Sequence, residues 1–267
     1  MTIPAEFMDL TEIIHFDNTQ RHPWELARYR IIREHISSLI APIVKDQLTI
    51  LDIGCGDAYL VHKLSEDFPR LHFIGVDINF TEALLNQTRK NIRTDNLQIY
   101  QSLDDVELEK QVDLILLLDV IEHIEDEIAF LKSLKRYDYI TVETPLLITV
   151  PAYQELFASH DVILEHYRRY SNKSLRNRLS EAGYVTSYER YFFLSLIPPR
   201  ILQLITEKFF HPRPKKSSDL AAWKGGNTIT KLVESFLILD YKIGSLLKKM
   251  GIKLPGLSNL VVCHRSA

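Results

Sequence analysis

Cysteine is scarce: Cys55 and Cys263 are the only two in 267 residues. Neither has a neighbour at metal-ligand spacing, so a disulfide framework is excluded, no metal site is expected, and a reducing compartment fits. A basic excess is lacking too. Lys and Arg number 32 against 35 Asp and Glu, a net charge of −3, which removes any bulk electrostatic argument for a nucleic-acid partner. The first residues carry Glu6, Asp9 and Glu12 without a basic stretch leading into an apolar one, so no secretory signal is expected. No window of about twenty residues is apolar enough to span a bilayer. These absences together make a cytoplasmic protein the expectation. With 46% hydrophobic and 25% charged residues, the composition is that of a globular chain. Its length suits one large α/β domain or a domain with an appended subdomain.

What is present is organised around Leu48–Leu60. The apolar run Leu48-Thr49-Ile50-Leu51 ends in Asp52, and Gly54 and Gly56 then remove side chains where the chain must turn sharply. Tyr59 to Leu64 follow at helical spacing. The unit reads as strand, glycine loop and helix N-terminus, the opening of a nucleotide-binding α/β domain. The third glycine of the dinucleotide fingerprint is missing, its place taken by Tyr59, which weakens a reading as an NAD or FAD site.

Leu-Asp-Ile-Gly-Cys-Gly-Asp instead resembles the first motif of the class I S-adenosylmethionine-dependent methyltransferases. The resemblance implies a Rossmann-like α/β fold: a seven-stranded, mostly parallel sheet with an antiparallel last strand, helices on both faces, and a helical insertion before that strand. Gly54, Cys55 and Gly56 would carry the methionine end of S-adenosylmethionine by backbone, with Asp52 holding the loop. Leu71–Asp77 reads as a second strand ending in an acid about twenty residues beyond the glycines, where a carboxylate can accept ribose hydroxyls. Asp77 is therefore assigned to the ribose, and Ile78 would lie under the adenine. After the short third strand Leu97–Tyr100, the resemblance places an acid or amide near the adenine amino group; Asp104 is taken for it, with the adjacent Asp105 the alternative.

Val112–Leu118 is apolar almost throughout, as a central parallel strand should be. The Asp119-Val120-Ile121-Glu122-His123-Ile124 run that follows resembles the fourth-strand motif of small-molecule and lipid-type methyltransferases, which implies pocket positions for Asp119 and His123. Glu122, Glu125, Asp126 and Glu127 are expected in the first turn of the next helix. Of two apolar stretches beyond, Leu146–Pro151 is chosen as the fifth strand over Tyr139–Val142, which is left as an additional strand or an extended connection. The Val150-Pro151-Ala152-Tyr153 end puts Tyr153 on the acceptor side.

Ser159–Ser171 crowds histidines and arginines among aromatics directly after a strand end, the natural acceptor loop. The run from His160-Asp161 to His166-Tyr167-Arg168-Arg169-Tyr170-Ser171 is similar to one in methyltransferases of cell-surface and lipid-linked glycan pathways. His123, His160 and His166 are the catalytic candidates, since imidazole titrates near neutrality and can take a hydroxyl proton. Tyr167, Arg168 and Arg169 are candidates for binding the substrate, the arginines through a carboxylate or phosphate. The alternative for His166, Arg168 and Tyr170 is that they hold the loop together.

The expected division is a helical segment over 1–47, a cofactor-binding core over 48–193, a helical insertion over 194–257, and the last strand over 258–267. Pro23–Ile40 reads as an amphipathic helix, with Arg21, His22, Arg28 and Tyr29 on a solvated face or, as the resemblance allows, reaching the ligand mouth. The sixth strand is expected from Tyr184 and the seventh over Asn259–His264. Residues 194–250 alternate apolar segments with lysines, including Arg213–Lys216. They are read as buried core, a dimer surface or a peripheral membrane contact. The implied reaction is methyl transfer, most simply to oxygen, from S-adenosylmethionine to a small-molecule or lipid-linked acceptor. The rival is an S-adenosylmethionine-binding scaffold without transferase activity.

Overall fold

The computed structural model describes residues 21–45, 47–108, 110–210, 223 and 225–266. Seven strands form one sheet: β1 (Thr49–Ile53), β2 (His72–Val76), β3 (Leu97–Tyr100), β4 (Leu114–Leu118), β5 (Leu146–Pro151), β6 (Tyr184–Phe192) and β7 (Ser258–Arg265). Their order is β3-β2-β1-β4-β5-β7-β6, with β7 antiparallel to both of its neighbours. β1 pairs in parallel with β2 on one side and β4 on the other. Chain direction along the sheet therefore reverses between β1 and β4. A crevice opens there at the carboxyl ends of the strands, the place where α/β sheets take their ligands.

β1 and β4 are buried at every residue, which is why their sequences are apolar runs and do not alternate. One core lies on each face. Ile31, Ile36, Phe73, Leu114, Leu116 and Leu237 belong to the first, and Leu51, Ile74, Ile115, Leu117, Leu175 and Leu179 to the second. Tyr139–Val142 is no strand. The Thr144 hydroxyl accepts the Thr141 N–H at 3.1 Å and closes a turn. The connection still serves the sheet, because the Tyr139 carbonyl accepts the Val112 N–H at 2.9 Å.

The helices are α1 (Pro23–Ile40), α2 (Tyr59–Asp67), α3 (Glu82–Asn91), α4 (Glu127–Ser133), α5 (Ser159–Ile163), α6 (Asn172–Glu181), α7 (Ile197–Phe210) and α8 (Gly226–Lys249). Pro23 begins α1, where its missing N–H has no cost. Pro198 and Pro199 sit in the first turn of α7, so they initiate that helix without breaking it.

α8 lies against α1. Arg30 Nε meets Glu234 at 2.6 Å, and the Tyr241 hydroxyl meets His35 Nε2 at 2.8 Å. The Arg190 guanidinium stacks 4.1 Å over the Tyr241 ring and donates to the Ser245 hydroxyl at 2.6 Å, joining α8 to β6. α7 is tied to the loop after β5, where Glu207 accepts from the Ser159 N–H and hydroxyl at 3.0 and 2.5 Å. The Arg213–Lys216 run lies outside the described residues.

Leu237 carries α8 into the shared core and is 1% exposed. Leu237→Ala is expected to destabilise the chain by about 2–5 kcal/mol, and Leu237→Met by less than ~1.5 kcal/mol. Urea unfolding of both variants checks this; equal, negligible losses would mean that α8 does not share the core.

Candidate functional site

The glycine loop is set by backbone geometry. Gly54 has φ +76°, and a Cβ there would meet Val120 Cγ2 at 2.6 Å, so position 54 excludes side chains by both conformation and space. Gly54 N–H and Cys55 N–H donate to the Val76 carbonyl at 2.7 and 3.1 Å. Gly56 N–H donates to Asp77 Oδ2 at 2.7 Å, and Asp77 Oδ1 accepts the Asn79 N–H at 2.9 Å. All three loop donors thus face inward. A pyrophosphate would need those donors.

Acceptors are what the loop leaves. Asp52, 2% exposed, has an Oδ1 with no hydrogen-bond partner among the described residues. Burial pushes its carboxyl up to about 7 against the pull of Arg28. Asp77 ties down the loop through the Gly56 N–H, and the Asp52 Oδ1 remains a buried acceptor next to it. Burial also raises Asp77, opposed by its Asn79 and Gly56 N–H bonds.

α1 closes the mouth from above. Arg28 forms an ion pair with Asp119, and Arg21 forms one with Asp57 while its guanidinium sits 4.1 Å over the Tyr59 ring. Of the two expectations for these arginines, the solvated face does not hold, because the loop and the end of β4 present acids beside α1. Asp119, at φ +57°, also accepts the Thr149 hydroxyl at 3.1 Å from the neighbouring strand β5. Arg28 further feels Glu25, Glu122 and Asp52. One cation is thus fixed among carboxylates where the methionine end of a cofactor was expected.

The acceptor side is built on Asp161, which is fully buried. It accepts from His166 Nδ1 at 2.9 Å, Arg169 Nε at 2.7 Å, the Ala158 N–H at 2.9 Å, and Arg200 of α7. Burial alone would raise this carboxyl; His166, Arg169, Ala158 and Arg200 overcome it and hold it at about 2. Arg169 also donates to the Ala152 carbonyl at 3.2 Å and is 7% exposed. Its assignment to substrate is therefore corrected to loop support. Arg168 turns away as well, pairing with Glu127 and donating to the Glu125 carbonyl at 2.7 Å. Both arginines have local carboxylates or carbonyls as partners that a linear reading does not reveal.

Beside this hub, Glu122 is fully buried and neither of its carboxylate oxygens has a hydrogen-bond partner among the described residues. It lies in a short 3₁₀ turn ahead of α4 and not in the first turn of that helix. Burial lifts it to about 8, with Arg28 and Arg169 pulling the other way. The His123 ring stands edge-on to His166 with centroids 4.6 Å apart, and burial lowers His123 to about 4. Glu122 is the site residue that sequence reasoning missed: its spacing from the helix start looked like ordinary helix-end charge.

The remaining candidates are spread around this centre. His160 is half-buried, its pKa lowered by burial, and His22 at the head of α1 is among the charges it affects. Tyr153, at φ +62°, stacks on Tyr191 at 4.8 Å, and Tyr167 is 53% exposed. Ile78 is 63% exposed beside the Asp77 carboxylate. Asp104 points outward, accepting from Arg136 at 2.9 Å and the Tyr137 hydroxyl at 2.8 Å. It is thus engaged on the surface by the residues that follow α4.

Comparison with known proteins gives three findings. Residues 24–188 match a family model described as a methyltransferase domain. A malonyl-(acyl-carrier protein) O-methyltransferase of Bacillus cereus is 24% identical over 141 residues, 49% of this chain and 51% of that protein. A ubiquinone biosynthesis O-methyltransferase of Rickettsia bellii is 32% identical over 88 residues, 33% of this chain and 36% of that one. The match to the first of these relatives thus spans about half of its length. Among solved structures, a coclaurine N-methyltransferase bound to N-methylheliamine and SAH superposes with a TM-score of 0.55. The identity is 11%, over 98% of this chain and 79% of that one. A sarcosine dimethylglycine methyltransferase structure from Galdieria sulphuraria gives 0.53 at 14% identity, over 91% and 85%.

Removing Asp161 would strand two buried guanidinium groups. Asp161→Ala is expected to cost about 3–5 kcal/mol of stability. Chemical denaturation measures it, and a loss under about 1 kcal/mol would show that Arg169 and Arg200 find other partners.

Proposed function

This chain belongs to the methyltransferase domain family, and from that premise we propose that it transfers a methyl group from S-adenosylmethionine to an oxygen of a small-molecule or lipid-linked acceptor. The observation that carries the reading is the polarity of the glycine loop. Its Gly54, Cys55 and Gly56 N–H donors are engaged, while Asp77 and Asp119 present carboxylates and the Asp52 Oδ1 is left as an acceptor without a partner among the described residues. A loop of this kind favours a ligand bearing an ammonium and a sulfonium over one bearing phosphates. Arg28 is the cation suited to the ligand's carboxylate, and exchanging Asp119 for that group keeps the guanidinium paired. Asp77 retains lone pairs for the ribose hydroxyls alongside its Gly56 and Asn79 bonds.

Transfer is an in-line displacement. The acceptor oxygen forms a bond to the methyl carbon as the carbon–sulfur bond breaks, and the sulfur leaves neutral as S-adenosylhomocysteine. The chain's contribution is alignment of the two reactants and exclusion of water. His160, neutral and half-buried on the acceptor side, is the base suited to take the hydroxyl proton. The two O-methyltransferase relatives support oxygen as the acceptor atom.

A lipid-linked acceptor is supported by α7 and α8. They expose Leu202, Ile205, Phe209, Leu232, Phe236 and Leu246, and Lys208, Lys231, Lys242 and Lys249 are also exposed on them. An apolar face bordered by lysines suits the interface of an anionic bilayer. Among the described residues no helix is long and apolar enough to cross a membrane.

Asp77→Ala is expected to weaken S-adenosylhomocysteine binding by about 1–3 kcal/mol in calorimetry, with Arg28→Ala similar. Wild-type binding of NAD in place of S-adenosylhomocysteine would overturn the proposal. Cofactor binding with no methyl transfer to any lipid or small-molecule extract would instead favour the scaffold. Separately, Phe236→Asp should reduce co-sedimentation with phosphatidylglycerol vesicles several-fold; unchanged sedimentation would remove the membrane role of α8.

A further inference from the structure

The Glu122 carboxylate, the His123 ring and the His166 ring offer ligand atoms within 4.8 Å of one another. We propose that these three residues bind one divalent first-row transition metal ion on the acceptor side of the site. A chance grouping of polar side chains would be expected to satisfy itself or face water. Glu122 does neither, being fully buried with both oxygens unpartnered among the described residues. An isolated buried carboxylate is costly and otherwise holds a proton; with two imidazole nitrogens beside it, a cation can take that proton's place.

The histidines are prepared as ligands. His166 gives its Nδ1 to Asp161 at 2.9 Å, which fixes the ring and leaves Nε2 as the free nitrogen. A carboxylate behind a histidine is the usual outer support of a metal-bound imidazole. The His123 ring is steadied by a hydrogen bond to the Leu164 backbone, while its Nδ1 is buried without a partner among the described residues. Donors of a tetrahedral ion at ~2.1 Å stand roughly 3.4 Å apart, so the three side chains need to close by about 1 Å, within reach of small χ rotations.

Two imidazoles and one carboxylate favour Zn²⁺, Mn²⁺, Fe²⁺ or Co²⁺ over Mg²⁺ and Ca²⁺, which prefer all-oxygen shells. Three protein ligands leave room for an exogenous oxygen. Resting on the methyl-transfer reading, that oxygen is the acceptor hydroxyl. Bound to the ion it loses its proton to solvent or His160, and the resulting alkoxide or phenolate attacks the methyl carbon while the sulfur leaves. The linear sequence pointed away from a metal because His123 and His166 come from separate loops that only the folded chain brings together.

The test is titration of tag-free, chelator-treated protein with Co²⁺, followed by visible absorption and calorimetry, with displacement by Zn²⁺. One Co²⁺ per chain with d–d bands of nitrogen and oxygen ligation is expected, and His123→Asn and Glu122→Gln should each weaken binding by at least about tenfold. Circular dichroism checks that the variants are folded. The proposal is overturned if the wild type shows no saturable uptake, or if folded variants bind as tightly as the wild type. A variant that does not fold leaves the wild-type stoichiometry and spectrum to decide. Calorimetry with S-adenosylhomocysteine on the same sample separates the two readings. Cofactor binding without metal uptake removes the ion alone, and metal uptake without cofactor binding removes the methyl-transfer reading and leaves the ion.

Discussion

One buried carboxylate, Asp161, holds the acceptor half of the molecule together. It joins the start of α5, the two basic residues that follow it in the loop, and Arg200 from α7. Such a centre contributes little net stability compared with apolar packing, because four groups lose their hydration. What it fixes is position. His166 has one ring orientation compatible with the hub, and Arg200 brings α7 down beside the strand ends, with its Nε donating to the Leu156 carbonyl at 2.9 Å. The helical segment before β7 is thereby part of the site's wall.

The cofactor half depends on a different constraint, the absence of side chains at the loop. Gly54 allows the chain to pass under Val120, and the donors of the loop are consumed by Val76 and Asp77. The two halves meet at the end of β4, where Asp119 faces Arg28 and Glu122 follows within one turn. On the proposed reading, this places the cofactor and the acceptor side by side, as a group-transfer reaction requires.

Most of the sheet was readable because buried parallel strands and glycine turns leave local marks. The Val112–Leu118 run could hardly be anything else, and Pro151 marked the exit of β5. Gly183, at φ +78°, ended α6 as a glycine stop should. The partners of charged side chains were not readable, since pairing depends on which loops the fold brings together. Arg28 could be read as solvent-facing or as reaching the ligand mouth until Asp119 was found paired with it. Arg168 and Arg169 could be read as substrate cations, with loop support the alternative for Arg168, because Glu127 and Asp161 meet them only in the fold. Glu122 gave no local signal at all, as an acid next to a helix start is usually a dipole effect.

The covering of the crevice by α1 also has a kinetic side. Arg21 and Arg28 bridge this helix to Asp57 and Asp119 across the opening. A newcomer must therefore trade places with existing ion pairs before it can settle. Added salt, which screens such bridges, would loosen that door and at the same time blunt the attraction that draws a cationic nucleoside toward it. On the proposed reading, uptake rate and residence time need not respond to ionic strength in the same direction, and the two ion pairs of α1 would set both.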